Sequence, residues 1–487
     1  MRVLPKGGQI RILNKRQLYD MHLGILEILE QVGVRADTPR ILQVFKDGGA
    51  DINEHNKLVK IPQNLVLEAI SKAPKKIRLC ARNPKWDIVL EDDRVSFGLG
   101  GSPKSRILDI NTGNFRSPTK KDIEDTTRLG DALSGYSFIQ NLGHASDKPP
   151  EVQYVHVSHA MMNNGEKHLL CTAPSAEEAR FVIDMGMAIE DLSKRPVISI
   201  YTNPASPLIL TPSQENIIES ASRGVPMVVC TAPMAGVTAP MTLAGAVVQN
   251  LCENLMVLTL AQLVRPGIPV VLGATPTVID PRTSMFTIGS PEFMVEQILS
   301  TELSHYYHLP YFGGGGTSDS KLPDGQAAAE AAMTALTSAM AGMNMIQDCA
   351  VMAFDDAGCL EMAVIVDEII GMVERILRGA SIDDESLALG VIEKVGPGGH
   401  FMSQKHTLEH AKKELYIPKI FDRNPESTWL KAGGKDIRQV ANERAKKILT
   451  EHRPTPLPKD VQQKLDEIVR EAERTLIGRR GAAAAAR

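Results

Sequence analysis

The sequence is poor in aromatic residues and has no long uninterrupted hydrophobic stretch. Phe, Trp and Tyr together make up only 4% of its 487 residues. Its best apolar runs, such as residues 225–230 and 268–274, have the length of strands, so no membrane-spanning helix is predicted. The first residues carry charge but lack the apolar core of a secretory signal. We therefore expect a cytoplasmic protein.

Cysteine pairs and a strong excess of charge are also missing. The six cysteines are scattered without a Cys-x-x-Cys pair, and most lie in apolar stretches. This distribution is typical of small buried side chains in a reducing compartment. The formal net charge of −4 argues against a nucleic-acid surface, because such domains are usually strongly basic. What is present, 43% hydrophobic and 23% charged residues, is the composition of an ordinary globular protein.

From residue 95 onward, short apolar runs alternate with helical patterns eight times. The predicted strands are residues 95–99, 138–142, 168–172, 197–201, 227–231, 270–274, 311–313 and 345–351. Continuous apolar runs are typical of parallel strands that are buried on both faces. Eight such units predict an α/β fold, a (β/α)8 barrel of the TIM type. A doubly wound open sheet is less favoured, because no strand is followed by a GxGxxG turn.

Helical patterns also flank this alternation. Residues 1–90 are predicted to form an N-terminal helical segment, in which an apolar stripe over residues 17–32 ends at Gly33. Residues 91–395 would form the barrel, and residues 396–480 a C-terminal helical extension packed on it. The alanine-rich residues 481–487 are predicted to be a disordered tail.

The strand exits are rich in small and polar residues. Active sites of such barrels are built where strands end and loops begin, so we predict a mouth kept free of bulky side chains that a large flat partner can approach. Ordinary turns that need glycine and proline are the alternative. The glycines that would leave this space are Gly100, Gly101, Gly236, Gly313, Gly314, Gly315 and Gly316.

Three charged residues are candidates for catalysis. Glu253 lies in an otherwise apolar helix, where it is either a surface residue or faces the barrel and balances a cationic substrate. Asp319 and Lys321 follow the seventh strand, where they either line the site or, like the nearby Asp324, cap the next helix.

No metal site is predicted. His400, His406 and His410 follow the barrel, but no cysteine lies near them and the surrounding run is charged enough to be a solvated helix. Asp20 to Gly24 falls one residue short of the DxHxxG corrinoid motif and lies on an amphipathic helix, so we reject it.

Several stretches of the chain resemble the trimethylamine methyltransferase (MttB-like) superfamily. They are residues 113–122 (GNFRSPTKKD), 236–253 (GVTAPMTLAGAVVQNLCE), 313–326 (GGGGTSDSKLPDGQ) and 393–407 (EKVGPGGHFMSQKHT), the last followed by 418–429 (PKIFDRNPESTW). They occur in the order expected for this family, and the resemblance runs over nearly the whole chain.

The resemblance implies a barrel that moves a methyl group from an amine to the cobalt of a corrinoid on a separate small carrier protein. The glycines of the strand exits would then face the corrinoid, and copies of the chain would assemble into a homo-oligomer. The archaeal trimethylamine enzymes use pyrrolysine, whereas this chain has only standard residues. Members without pyrrolysine are similar to demethylases of quaternary amines. We therefore expect glycine betaine or a similar quaternary amine as substrate, with trimethylamine as the alternative.

A quaternary cation is usually held over aromatic faces or near a carboxylate. Because aromatic residues are few, Tyr201 at a strand exit is the best candidate, followed by Phe97 and Phe312. The candidates for bonding a substrate carboxylate are Asn141, His144, Asn203 and Thr231.

Two other functions stay open. One is a barrel that binds a methylated amine without turnover, and the other is a barrel enzyme of unrelated chemistry, such as a lyase. The fold alone does not separate them.

Overall fold

Eight parallel strands close into a barrel in the computed structural model, which describes residues 1–101 and 104–478. They are β1 (Ser96–Leu99), β2 (Tyr136–Gln140), β3 (His168–Thr172), β4 (Ile198–Thr202), β5 (Met227–Val229), β6 (Val270–Ala274), β7 (Tyr311–Gly314) and β8 (Met345–Cys349). Each strand pairs with the next, and β8 pairs with β1 to close the ring. The predicted (β/α)8 barrel is confirmed.

One helix follows each strand and covers the outside of the barrel. The helices are α1 (Lys120–Ala132), α2 (Gln153–Asn164), α3 (Ala176–Ile189), α4 (Glu215–Ser222), α5 (Leu243–Val264), α6 (Pro291–Tyr306), α7 (Gly325–Ala341) and α8 (Leu360–Leu377). With helices outside and side chains inside, the strands are buried on both faces. That double burial explains why their sequences are continuous apolar runs.

Helix α5 is apolar on all sides. By length and composition it could cross a membrane, but 72% of its apolar window is buried inside the fold. Three N-terminal helices cover it, Lys15–Glu27, Pro39–Asp47 and Gln63–Lys72. A helix covered in this way has the burial of a core helix.

The N-terminal segment also contains short strands that the sequence did not reveal. Val34–Ala36, Asp51–Asn53 and Leu58–Lys60 form a four-stranded sheet with Ile209–Leu210 from the loop after β4. Strands of two or three residues are too short for a periodic pattern to show.

A hairpin closes the amino-terminal end of the barrel. Its strands, Ile77–Leu79 and Ile88–Leu90, pack with Leu4 against side chains that fill the barrel interior, among them Phe138 and Met345. This packing leaves the carboxyl end of the strands as the place for a site.

Two small sheets lie beyond the carboxyl ends of the barrel strands. One contains Met234–Ala235, Thr277–Asp280 and Met285–Thr287, and the other contains Arg106–Leu108, Phe115–Arg116, Val351–Met352 and Ala357–Cys359. They fix the loops that follow β1, β5, β6 and β8.

The C-terminal residues run around the barrel wall. Helix Ile437–Glu451 packs on α8 and α1, and helix Lys459–Ala472 packs on α3 and α2. Four shorter helices precede them, Asp384–Leu387, Leu389–Val395, Lys405–Glu414 and Glu426–Lys431. The domain boundaries near residues 90 and 395 stay predictions, and the tail predicted at 481–487 lies outside the described residues.

Candidate active site

A cavity of about 150 Å³ lies at the carboxyl end of the barrel. Its walls come from the ends of β4, β5 and β6, from the sheet above them and from the loop after β8. The lining residues are Tyr201, Asn203, Cys230, Ala232, Met234, Thr275, Thr277, Phe286, Ile288 and Asp355. A dry cavity of this volume in another protein holds one benzene molecule, so this cavity has room for a small organic ion.

Two aromatic side chains and one carboxylate give the cavity its chemical character. The Tyr201 ring is almost fully buried and meets Phe312 edge to face, with ring centroids 6.3 Å apart. Phe286 adds a second ring to the lining. The Asp355 side chain keeps 23% of its surface exposed. Aromatic faces beside a carboxylate form a surface that attracts cations.

A buried lysine connects Asp355 to a second carboxylate below it. The Lys104 ammonium pairs with Asp355, and its Nζ atom lies 3.8 Å from the Asp348 carboxylate. Lys104 and Asp348 are both almost fully buried. Gly101 permits this arrangement, because a Cβ there would overlap the Asp348 carboxylate. One positive charge thus faces two acidic groups.

Burial is the main cause of a raised pKa at Asp348. It raises the pKa of this carboxyl to about 7, the nearby Asp355 charge raises the pKa further, and Lys104 opposes both effects. The Thr275 hydroxyl, which lines the cavity, lies 3.4 Å from the Asp348 carboxylate. The net charge beneath the cavity therefore changes near neutral pH.

The loop that carries Asp355 has a strained backbone. Asp348, Ala350, Ala353, Phe354 and Asp355 all have positive φ angles, between 54° and 75°. Non-glycine residues rarely adopt this conformation, and it persists only where the surrounding structure enforces it. Such strain is concentrated at functional sites, which supports the assignment of the site to this loop.

The single thiol of the lining is not an activated nucleophile. Burial raises the pKa of Cys230 to about 11, so the thiol stays protonated at neutral pH. All six cysteines are free and buried, as predicted from their apolar surroundings.

The structure brings only part of the predicted substrate-binding set to the cavity. Tyr201 and Asn203 line it, and Phe312 lies against Tyr201 inside the barrel. Phe97 packs with the core outside the barrel, because it belongs to the outward face of β1 with Val95 and Leu99. Its role in substrate binding stays a prediction without geometric support.

The remaining three predicted residues have other partners. The Asn141 amide donates to the Gly143 carbonyl, the His144 ring contacts the Lys104 carbonyl at 3.0 Å, and the Thr231 hydroxyl donates to Asn250 of α5 at 2.5 Å. None of the three lines the cavity.

The glycines of the strand exits mostly serve close packing. A Cβ at Gly313 would meet Met343 and Gln297, and one at Gly314 would meet Phe293. Gly315 and Gly316 are buried against Ile346 and Val366. A side chain at any of these four positions would therefore collide with the packed core.

Gly100 and Gly236 have positive φ angles, at 90° and 89°, and Gly236 is exposed on the rim of the barrel. The proposed role of the seven glycines in the approach of a corrinoid stays a prediction.

The three candidate catalytic residues lie outside the cavity lining. Glu253 is fully buried rather than on the surface, and it accepts hydrogen bonds from the Ser206 hydroxyl at 2.7 Å and the Leu208 amide at 3.1 Å. Burial raises its pKa to about 7. It thus anchors the loop after β4, next to the two lining residues of that strand.

Asp319 holds the loop before α6 by accepting from the backbone amides of Ile288 and Gly289, at 2.9 and 3.2 Å. The exposed Lys321 lies 4.0 Å from the centroid of the Phe354 ring. Asp324 caps α7 by accepting from the Ala327 amide, which was one of the two interpretations for this group.

The described residues contain no group of three or more His, Cys, Asp or Glu side chains arranged to hold a metal ion. His406 and His410 stack with ring centroids 4.1 Å apart, and His410 pairs with Glu385 at 3.1 Å. The pair therefore has a structural explanation within the C-terminal segment.

Comparison with known proteins identifies the family. The family model for trimethylamine methyltransferase (MTTB) matches residues 2–476. Trimethylamine methyltransferase MttB of Desulfitobacterium hafniense (strain DSM 10664 / DCB-2) is 36% identical, over 97% of both chains. Glycine betaine methyltransferase of D. hafniense (strain Y51) is 30% identical, over 96% of this chain and 97% of its own. MttB of Methanosarcina barkeri is also 30% identical, over 97% of both chains. The chain belongs to the trimethylamine methyltransferase family.

Proposed function

We propose that this protein is a methyltransferase that removes a methyl group from a quaternary amine and delivers it to the corrinoid of a separate carrier protein. The observation that carries the proposal is the cavity, in which Tyr201, Phe286 and the Asp355 carboxylate surround a space the size of a small cation. Family membership supports the reaction class, and the names of the relatives include both trimethylamine and glycine betaine.

A quaternary amine fits the groups that are present. A quaternary ammonium leaves as a neutral amine after methyl transfer, so the protein need not protonate the leaving group. Among the lining residues that the structure describes there is no activated nucleophile, because their one thiol is protonated. The tasks of the protein are then to bind the cation, orient one methyl group and exclude water.

The corrinoid supplies the nucleophile that accepts the methyl group. A cavity of about 150 Å³ accommodates the amine but not a corrin ring, so the ring must meet the substrate at the mouth of the cavity. The rim loops after β5, β6 and β8 define that mouth. The position of the cavity supports docking of the carrier protein on the carboxyl face of the barrel.

Methyl transfer can be followed directly by incubating the protein with reduced cobalamin and a panel of methylated amines. We expect methylcobalamin to form, seen by its absorption spectrum, with at least one quaternary amine. If no amine of the panel gave methylcobalamin while one of them still raised the melting temperature, the protein would be a binding barrel without turnover.

Tyr201→Leu should weaken binding of a quaternary ammonium ion by about 10-fold, because an aromatic face contributes roughly 0.5–2 kcal/mol to such a cation. Tyr201→Phe is the matched control, since it keeps the ring and loses only the hydroxyl. Calorimetric titration with tetramethylammonium measures both affinities. Equal affinities in the leucine and wild-type proteins would remove Tyr201 from the binding site.

Cation binding should strengthen as the pH rises through 7. Below the pKa of Asp348, Lys104 is balanced by Asp355 alone; above it, two carboxylates face one lysine and the cavity becomes more negative. We expect the dissociation constant of tetramethylammonium to fall about 5-fold between pH 6 and pH 8. Asp348→Asn, which suits the positive φ angle at this position, should abolish the dependence. A wild-type affinity that stays constant over this range would contradict the assignment.

We also propose that copies of the chain assemble through the segment between α8 and helix Ile437–Glu451. This segment exposes many large apolar side chains, among them Ile382 (80%), Met402 (81%) and Ile417 (73%). Large exposed apolar patches mark interaction surfaces. Light scattering should therefore give a multiple of the 53.0 kDa chain mass, and a monomer at micromolar concentration would contradict this.

The absence of disulfides supports a cytoplasmic location.

A further inference from the structure

We propose that the cavity selects quaternary ammonium ions that carry no carboxylate. This inference names the substrate class of the proposed methyltransferase and rests on that proposed function. The charges around the cavity favour the ammonium end of a betaine and oppose its carboxylate end.

The lining contains one charged group. Asp355 is the only carboxylic acid among the described lining residues, and no lysine, arginine or histidine is among them. A positive trimethylammonium group is attracted to this carboxylate. The carboxylate of a betaine, held within a few bonds of the nitrogen, would lie in the same small cavity and be repelled by it.

Lys104, the lysine that contacts Asp355, is already engaged. Lys104 pairs with Asp355 and faces Asp348 at 3.8 Å from beneath the cavity. The side chain of Lys104 is fully buried. To bind a substrate carboxylate it would have to leave two acidic partners, which is unfavourable in a buried site.

The residues predicted to bind a substrate carboxylate do not converge on the cavity. Asn141, His144 and Thr231 have the partners described above and lie outside the lining. Asn203 alone reaches it. A single neutral amide is a weak substitute for the bidentate or cationic partners that carboxylates usually have.

The other polar groups of the lining suit a neutral substituent. The hydroxyls of Thr275 and Thr277 and the Asn203 amide can exchange hydrogen bonds with a hydroxyl group. Below Thr275, the Gln347 amide donates to its hydroxyl at 3.1 Å, and the buried Gln347 carbonyl oxygen has no hydrogen-bond partner among the described residues. Tetramethylammonium and choline match this environment better than glycine betaine or carnitine.

Calorimetric titration of the wild-type protein at pH 8 with these four compounds tests the proposal. We expect tetramethylammonium and choline to bind at least 10-fold more tightly than glycine betaine and carnitine. Equal or tighter binding of either betaine would overturn it.

The variant Asp355→Asn tests the cause of the selectivity. Losing this charge removes both the attraction for the ammonium and the repulsion of the carboxylate, so the affinity ratio of tetramethylammonium to glycine betaine should fall to about 3 or less. Asp356→Asn is the matched control, because this neighbouring residue pairs with Arg106 at 2.5 Å outside the cavity lining. An unchanged ratio in Asp355→Asn would overturn the role given to Asp355.

Methyl transfer to reduced cobalamin is measured separately with the same compounds. Preferential binding of the carboxylate-free ions with no transfer from any compound would contradict the proposed function and leave the ligand class intact. Transfer from the betaines alone would support the function and overturn the inference.

Discussion

Replacing Asp355 by asparagine is expected to raise KM for a quaternary ammonium substrate about 30-fold and to leave kcat within roughly 3-fold of the wild-type value. The carboxylate attracts the positive charge of the bound substrate. That charge disappears as the methyl group leaves and the amine becomes neutral, so the attraction stabilises the ground state at least as much as the transition state. An interaction of this kind contributes to binding and not to the chemical step.

Steady-state kinetics with reduced cobalamin separates the two constants. Asp356→Asn controls for damage to the loop, since Asp356 belongs to the same segment and pairs with Arg106. A large loss of kcat in Asp355→Asn, with KM unchanged, would show that Asp355 acts in the chemical step and not as a counter-ion.

Glu296→Gln should stabilise the fold strongly at alkaline pH. Glu296 of α6 is fully buried, and within the described part of the chain neither oxygen of its carboxyl group has a hydrogen-bond partner. Burial raises its pKa from 4.5 to about 8. The neutral form is therefore favoured in the folded protein, and stability is lost as the pH rises from about 4.5 to about 8.

A carboxyl with a pKa of 4.5 in the unfolded chain and about 8 in the folded protein lowers the unfolding free energy by roughly 5 kcal/mol at the alkaline end. Glu296→Gln should thus be nearly neutral at pH 5 and stabilising by several kcal/mol at pH 9. Urea unfolding at both pH values measures the difference. Glu467→Gln, at an exposed position of helix Lys459–Ala472, should show no such trend. A Glu296→Gln effect that is the same at both pH values would refute the explanation.

The barrel could be predicted from the sequence because its strands are buried on both faces. Continuous apolar runs of four or five residues then stand out between helical patterns, as at His168–Thr172 and Val270–Ala274. The short strands near the N-terminus could not be found in this way, since three residues do not establish a period. Their sheet depends on a distant segment, because Val34–Ala36 pairs with Ile209–Leu210.

Residues that line the cavity could be predicted from the sequence where they lie directly at the end of a strand. Tyr201 and Asn203 were found because β4 ends there. Phe97 lies on the opposite face of its strand, because alternate residues of a strand face opposite sides and its register turns it toward the helices.

Asp355 was missed for a different reason. It lies six residues beyond β8, and the loop reaches the cavity only through a series of left-handed residues, Asp348, Ala350, Ala353 and Phe354. Alanine and phenylalanine give no sequence signal for that conformation, because the surrounding structure imposes it. The approach of Lys104 to Asp348 could not be predicted from the sequence either, since it depends on the absence of a side chain at Gly101.

We expect a methylated cation to bind between Tyr201 and Asp355 at the carboxyl end of the barrel. A crystal structure of the protein soaked with tetramethylammonium tests it most directly. We expect density for the ion in this cavity, with its nitrogen within about 6 Å of the Tyr201 ring centroid and facing the Asp355 carboxylate. An ion bound at saturation elsewhere on the protein, with this cavity empty, would contradict it.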